Sequence, residues 1–277
     1  MKQRVITALL FGIVFIGALL LMNTIVFPVF VSLLSCIAVW EIERATGLTN
    51  KLIMAASMVF SAIIPFVFHF GIKVPFAAIG CVYVVLLLVF MLIKFESTRF
   101  EQTVIAIFAS ACVPFSFSLM IYFRDVHKHI EGLTKMDGVF LIIFVFFASW
   151  MTDIFAYFVG SKLGKHKLCP KISPKKSVEG AIGGIVGAAL LNVLLLFIFK
   201  NYVFEGESSL SYVGIVILSI ILSVVSMCGD LAASTIKRNF GVKDFGKLLP
   251  GHGGIMDRFD SVLFVMPVLY AAINLMD

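Results

Sequence analysis

Residues 75–93 read PFAAIGCVYVVLLLVFMLI, and this stretch without a charged side chain decides the class of fold. A helix needs about 20 apolar residues to cross the hydrocarbon core of a bilayer, so a run of this length predicts a transmembrane helix. Backbone N–H and C=O groups in lipid must be bonded within the segment. The run lacks the alternation of apolar and polar residues that a membrane barrel strand requires, so we expect a helix.

Eight further apolar runs have the same character, and together they predict an all-α, polytopic bundle of about nine spans. They lie at about 5–22, 25–42, 52–70, 103–123, 138–160, 178–199, 211–229 and 259–275. The composition agrees, because 61% of the 277 residues are hydrophobic and 14% are charged, whereas soluble domains are about 45–50% apolar and about 25% charged. Nine spans use about 180 residues, so any chemistry must lie within the bundle or its loops.

Lysine and arginine are unevenly distributed between alternate loops, which predicts the orientation of the chain. With the N-terminus in the cytoplasm, the inside segments carry 17 of the 22 basic residues, as the positive-inside rule requires. The first run resembles a secretory signal, but no small-residue cleavage site follows it, so we expect a retained helix. The net charge of +6 is assigned to loops that face anionic lipid, and no nucleic-acid partner is expected.

Polar residues are concentrated in the second half of the chain. We predict a scaffold of about five spans with candidate dimer contacts in residues 1–137, and a catalytic region in residues 138–277. The catalytic region contains two cytoplasmic loops, 161–177 and 230–260. Asp153 lies well inside the sixth apolar run, where a carboxylate near lipid indicates a functional site.

Two glycine patterns are interpreted as structural features and not as phosphate-binding sites. Overlapping GxxxG patterns at the start of the seventh run predict close packing against another helix; they are formed by Gly180, Gly183, Gly184 and Gly187. The segment 241–248 resembles a phosphate-binding P-loop, but Leu248 stands where a metal-binding hydroxyl is needed and no strand precedes it. We therefore reject a P-loop.

Three carboxylates are candidates for a metal site at the cytoplasmic boundary. Asp257 and Asp260 are three residues apart at the start of a helix and share one face, and Asp230 closes the preceding span. Carboxylate oxygens suit Mg²⁺, which proteins commonly hold together with substrate phosphates. Helix capping by Asp257 is the competing explanation for that residue.

Basic side chains and a glycine-rich turn surround these carboxylates in the sequence. The basic side chains are Lys175 and Lys176 in the first loop and Lys237, Arg238, Lys243, Lys247 and Arg258 in the second. Such clusters can bind phosphate groups, although positive-inside topology accounts for most of them one by one. His252-Gly253-Gly254 could bring backbone N–H groups against a phosphate or could simply form a turn.

The stretch from Ser234 to Asp260 resembles the signature of the phosphatidate cytidylyltransferases, also called CDP-diacylglycerol synthases. The matching positions are Ser234, Ile236, Lys237, Arg238, Lys243, Asp244, Gly246, Leu249, Pro250, His252, Gly253, Gly254, Ile255, Asp257, Arg258, Phe259 and Asp260. The upstream segment Ser173-Pro174-Lys175-Lys176-Ser177 with Glu179, and the span with Asp153, are also similar to the family. The signature covers 27 of 277 residues, with no departure at a fixed position.

The resemblance implies a dimeric enzyme of the inner or plasma membrane that converts CTP and phosphatidate to CDP-diacylglycerol and pyrophosphate. It also implies a need for Mg²⁺, with K⁺ as a candidate second cation, and it places Asp230, Asp257 and Asp260 at the metal centre. For the mechanism we assign catalytic roles to those three and to Lys237, Arg238, Arg258 and His252. Substrate-binding roles are assigned to Asp153, Ser173, Lys175, Lys176, Ser177, Glu179, Lys243, Asp244, Lys247, Gly253 and Gly254.

Two other classes of function remain open at this point. A transporter of an anionic lipid or metabolite could use the same charged residues, although no inverted repeat is visible and the charges cluster at one membrane face. A structural protein could bind phosphatidate without turnover. Release of pyrophosphate that depends on CTP, Mg²⁺ and phosphatidate separates the enzyme from both.

Overall fold

The computed structural model describes residues 2–204 and 208–275, and most of that chain is α-helical. In chain order the helices are α1 (Lys2–Leu20), α2 (Val26–Ala45), α3 (Lys51–Phe70), α4 (Phe76–Ile93), α5 (Phe100–Arg124), α6 (Lys135–Phe146), α7 (Thr152–Leu163), α8 (Val178–Tyr202), α9 (Tyr212–Asn239), α10 (Met256–Phe259) and α11 (Val262–Leu275). A 3-10 helix at Val126–Lys128 follows α5, and a π-helix at Phe147–Met151 joins α6 to α7. The strands are β1 (Lys167–Cys169) and β2 (Ser173–Ser177).

Helices occupy every predicted apolar run, which confirms the all-α prediction for a membrane protein. Within the described residues, seven helical segments are long and apolar enough to cross a bilayer: Val26–Ala45, Lys51–Phe70, Phe76–Ile93, Phe100–Arg124, Lys135–Leu163, Val178–Tyr202 and Tyr212–Asn239. Leu9–Leu20 and Val262–Leu275 are apolar but shorter. The total of nine spans and the cytoplasmic N-terminus stay predictions.

The segment 161–177, predicted only as a loop, contains a small antiparallel hairpin. Strand β1 pairs with β2, with Lys167 opposite Ser177 and Cys169 opposite Ser173. Strands of three and five residues are too short to show the alternating pattern that predicts a sheet. The hairpin gives the lysine-rich segment a defined backbone.

The described residues form two compact units. One contains the chain up to Ile121 together with Asn239–Phe259, and the other contains Tyr122–Arg238 together with the residues from Asp260 onward. The functional division that the sequence predicts, at residues 137 and 138, stays a prediction.

In the first unit, α2 packs along α3, and α10 contacts α2. Asn50 caps α3 by accepting the Leu52 N–H at 3.0 Å, and its amide donates to the Phe90 carbonyl at 2.9 Å. Phe259 of α10 is fully buried, with edge-to-face contacts to Phe11 and Phe117. These contacts anchor the polar segment 239–259 to the helices of this unit.

In the second unit, α7 and α8 form the most extensive helix pair. A Cβ atom at Gly180 would lie 2.7 Å from the Ala156 carbonyl oxygen, and one at Gly184 would lie 2.7 Å from the Thr152 carbonyl oxygen. Only glycine lets the two backbones approach this closely. The close packing predicted from the GxxxG patterns is therefore confirmed. It fixes the position of α7, the helix that carries Asp153.

Candidate active site

Four charged side chains of the second unit lie together, and we call them the charged cluster: Lys176, Asp230, Lys237 and Asp260. Lys176 Nζ on β2 forms an ion pair with Oδ2 of Asp230 on α9. Lys237 Nζ lies 3.8 Å from Oδ2 of Asp260, which precedes α11. Asp230 and Lys237 share a face of α9 because they are seven residues apart. The structure thus brings together four residues that the sequence predicted for the site.

Asp260 is the most buried member of the charged cluster, with 6% of its surface exposed. Its Oδ1 accepts the backbone N–H of Ser261 at 2.8 Å. Burial raises the pKa of Asp260 to about 7, the nearby Asp230 carboxylate adds to this rise, and Lys237 opposes it. Burial is thus the main reason that the ionised form of Asp260 is unfavourable, and the two neighbouring charges act in opposite directions.

Asp153 acts on this cluster through its charge. It lies in the first turn of α7, directly after the π-helix Phe147–Met151, and its carboxylate also raises the pKa of Asp260. π-Helical turns are frequent at functional sites. The neighbouring Thr152 donates to the Ala148 carbonyl at 2.6 Å and also forms a 2.8 Å hydrogen bond with Ser223 Oγ. The role of Asp153 towards substrate stays a prediction.

The hairpin that carries Ser173, Lys175 and Lys176 is held at its base by Glu179. The carboxylate of Glu179 accepts the backbone N–H groups of Lys165 and His166 at 3.1 and 3.2 Å, and it contacts His166 Nδ1 at 2.6 Å. Ser177 caps α8 by accepting the Gly180 N–H. Glu179 and Ser177, predicted as substrate-binding residues, thus have local structural roles here.

In the first unit, residues 245–257 fold around Asp257, and we call this segment the signature turn. Oδ2 of Asp257 accepts the backbone N–H groups of Phe245 at 2.8 Å and Gly254 at 2.9 Å, with Gly246 N–H at 3.5 Å. The Leu249 N–H donates to the Gly253 carbonyl at 2.9 Å. One carboxylate therefore organises the backbone of a segment that the sequence assigned to catalysis.

Two glycines of the signature turn are needed for their backbone conformation. Gly251 and Gly253 have φ angles of 81° and 85°, which side chains other than glycine rarely adopt. A Cβ atom at Gly253 would also lie 2.8 Å from Oδ2 of Asp257. The turn that the sequence offered as one interpretation of His252-Gly253-Gly254 is present, and a phosphate contact by its N–H groups stays a prediction.

The remaining predicted residues lie mainly on exposed surface. Exposed side chains in this group are those of Lys175, Arg238, Lys243, Asp244, Lys247 and Arg258. Arg258 Nε donates to the His252 carbonyl at 3.0 Å, which fixes the start of α10 to the signature turn. The substrate-binding and catalytic roles of these exposed residues stay predictions.

The charged cluster contains two of the three predicted metal ligands. Asp230 and Asp260 supply carboxylate oxygens, the type of ligand that Mg²⁺ prefers, and each now pairs with a lysine. Within residues 2–204 and 208–275, no group of three His, Cys, Asp or Glu side chains is close enough to hold a metal ion. The predicted third ligand, Asp257, and the metal itself stay predictions.

A sequence model of the cytidylyltransferase family matches residues 2–276. The chain is 34% identical over 277 residues to a phosphatidate cytidylyltransferase of Bacillus subtilis (strain 168), covering 98% of this chain and 96% of that protein. This chain belongs to the cytidylyltransferase family. It is also 32% identical over 273 residues to a phosphatidate cytidylyltransferase of Staphylococcus aureus (strain COL), covering 97% of each chain. The enzyme of Staphylococcus haemolyticus (strain JCSC1435) is 46% identical over 136 residues, about half of each chain.

This member of the cytidylyltransferase family has two further polar residues that sequence reasoning missed. Glu41 on α2 is fully buried and accepts the Met256 N–H at 2.9 Å, next to Asp257. His166 is bonded to Glu179 at the base of the hairpin. An acidic residue at the end of an apolar run was the available signal for Glu41, whereas nothing in the local sequence marks His166.

Proposed function

We propose that this protein transfers the cytidylyl group of CTP to phosphatidate at the cytoplasmic face of the cell membrane. The family and its relatives indicate a nucleotidyltransferase of phospholipid biosynthesis, a phosphatidate cytidylyltransferase that makes CDP-diacylglycerol. An oxygen of the phosphatidate phosphate attacks the α-phosphorus of CTP. The bond from that phosphorus to the oxygen bridging to the β-phosphate breaks, and pyrophosphate leaves. No bond to the enzyme is required.

The observation that carries the mechanism is the charged cluster of two lysines and two carboxylates. Lysine ammonium groups attract the phosphates of CTP and of the lipid as point charges. Carboxylates alone would repel those phosphates, so Asp230 and Asp260 are suited to holding Mg²⁺, which would neutralise phosphate charge when bound. We therefore assign Asp230 and Asp260 as the metal-holding pair.

The lysines of the cluster are proposed to act on phosphate oxygens. Lys176 pairs with Asp230 in the structure, and we propose that it contacts a phosphate oxygen when substrate is bound. Lys237 stays near Asp260 and offsets part of its charge. Catalysis then consists of holding two anionic groups in line and balancing their charge, which is the usual requirement of phosphoryl and nucleotidyl transfer.

Pyrophosphate release by the purified protein in phospholipid nanodiscs tests this function. We expect release only when CTP, phosphatidate and Mg²⁺ are all present, with CDP-diacylglycerol formed in equal amount. Asp230→Asn should reduce turnover by about a hundredfold or more and raise the Mg²⁺ concentration for half-maximal activity, because a metal-holding charge is lost. Lys243→Ala, on exposed surface, serves as a comparison that should lower turnover less. Phosphatidate movement without CTP consumption would overturn the proposal.

The resemblance alone supports three further parts of the proposal. They are a homodimer, a location in the inner or plasma membrane, and K⁺ as a second cation. Titrating K⁺ into the pyrophosphate assay tests the cation, and mass measurement in nanodiscs tests the dimer. Activity independent of K⁺ and a monomeric mass would remove these two parts while leaving the transfer reaction in place.

A further inference from the structure

Glu41 of α2 is a buried carboxylate that the proposed reaction does not use. It lies near the C-terminal end of the helix and is fully buried. Its Oε2 accepts the backbone N–H of Met256 at 2.9 Å, and Oε1 has no hydrogen-bond partner among the described residues. A buried carboxylate with so few partners is unfavourable for stability, so a residue of this kind requires another explanation.

The signature turn is shaped to receive Glu41. A Cβ atom at Gly246 or at Gly254 would overlap the Glu41 carboxylate. Neither glycine has a positive φ angle, so the backbone conformation at these positions does not itself demand glycine. The absence of side chains at two separate points of the turn is therefore explained by the space that Glu41 fills.

Two carboxylates thus hold the signature turn from within the same unit. Asp257 accepts N–H groups of Phe245 and Gly254, and Glu41 accepts the N–H of Met256 between Gly254 and Asp257. Hydrogen bonds from backbone N–H groups to a charged acceptor are stronger than neutral ones, and their loss frees the segment that they order.

We propose that Glu41 is a positioning residue that holds the signature turn, with His252, Gly253, Gly254 and Asp257, in its active conformation. The activity measurements that test this proposal rest on the proposed function. Glu41 acts through Met256 and through its packing against Gly246 and Gly254. It does not act on substrate.

The first experiment compares Glu41→Ala with Glu43→Ala. Glu43 is a matched control because it is equally buried on the same helix and its carboxylate forms no hydrogen bond with the signature turn. We expect Glu41→Ala to lower kcat/KM by about ten- to a hundredfold, the loss expected for one hydrogen bond to a charged group. Glu43→Ala should leave kcat/KM within about threefold of wild type.

Hydrogen exchange of residues 245–256 supplies the readout independent of activity. Glu41→Ala should speed exchange in this segment by about tenfold or more, while α3 and α8 exchange as in wild type. Glu41→Gln keeps an acceptor for the Met256 N–H, so it should recover most of the lost protection and activity. If Glu41→Ala does not fold, Gly246→Ala tests the same contact, because its methyl group should displace the Glu41 carboxylate and speed exchange of residues 245–256, and unchanged exchange would contradict the proposal.

The second experiment is a double-mutant cycle between Glu41 and Gly246. Gly246→Ala alone should lower kcat/KM because the new methyl group meets the Glu41 carboxylate. In the Glu41→Ala background that space is open, so adding Gly246→Ala should cause much less further loss. Additive losses would contradict direct packing between the two residues.

Three results would overturn the proposal. One is unchanged exchange of residues 245–256 in Glu41→Ala. Another is an equal loss of activity and thermal stability in Glu41→Ala and Glu43→Ala, which would indicate a purely structural role. The third is a Glu41→Gln variant as impaired as Glu41→Ala. If the wild type itself releases no pyrophosphate, the proposed function fails, while the exchange experiment still tests Glu41.

Discussion

Replacing Asp260 by asparagine should stabilise the metal-free protein at neutral pH, by an amount that grows as the pH rises. Asp260 is 6% exposed, and its carboxylate lies near that of Asp230, while Lys237 Nζ is 3.8 Å away. The ionised form is therefore unfavourable in the folded protein. Asparagine keeps the shape and an acceptor for the Ser261 N–H without the charge.

The magnitude follows from the pKa of Asp260, which rises from an ordinary value of 3.8 to about 7 in the folded protein. The folded state holds the proton more tightly, so the unfolded chain releases its proton first as the pH rises. The wild-type protein therefore keeps its full stability below about pH 4, and it loses stability relative to Asp260→Asn as the pH rises to about 7. At about 1.4 kcal/mol for each pH unit, the difference amounts to about 4 kcal/mol at most.

Unfolding of the protein in detergent with a metal chelator, followed by tryptophan fluorescence, measures this difference. The stability gap between Asp260→Asn and wild type should be small near pH 4 and should widen towards about pH 7. Asp230→Asn is the control, because removing the neighbouring charge should lower the pKa of Asp260 and reduce the pH dependence. Parallel pH profiles for wild type and Asp260→Asn would refute the reasoning.

Three further predictions concern structural features of the second unit. Gly184→Leu should lower the free energy of unfolding by about 1–3 kcal/mol or more, because a side chain there meets the α7 backbone; thermal unfolding checks this. Arg124→Ala, which breaks the 2.5 Å ion pair with Asp125, should cost about 1.5–3 kcal/mol. Lys128→Ala, at a side chain 60% exposed, should cost less than about 1 kcal/mol. Equal losses of stability in Arg124→Ala and Lys128→Ala would contradict the view that the buried pair is the stronger one. Glu179→Gln should speed amide exchange at the base of the hairpin by about tenfold, and unchanged exchange would count against its role there.

The positions of the helices could be predicted because lipid leaves the backbone so few options. A run such as 75–93 must bond its own N–H and C=O groups, so its length and composition are enough to predict α4. The ends of helices were harder to predict. Helix α9 continues to Asn239, beyond the end of the predicted apolar run at 229, because Leu231, Ala232 and Ala233 are strong helix formers.

The charged cluster could be predicted only in part. Asp230 and Asp260 were expected to lie close together. Positively charged neighbours were expected as well, and Lys176 and Lys237 were among the candidates. The role of Asp257 in ordering the signature turn depends on N–H groups up to twelve residues away, whose direction the sequence does not reveal. The Glu41 contact joins residues 215 positions apart, so no local pattern could indicate it.

The signature turn shows that a sequence motif can record packing as well as chemistry. Gly251 and Gly253 are required for their positive φ angles, whereas Gly246 and Gly254 are required because Glu41 occupies the space of a Cβ atom. The small residue in the family pattern at position 246 therefore has a cause on α2, outside the motif itself. A variant that changes Glu41 should consequently relax the demand for glycine at 246 but leave the demand at 253 unchanged, because the latter arises from the positive φ angle and from the nearby Asp257 carboxylate.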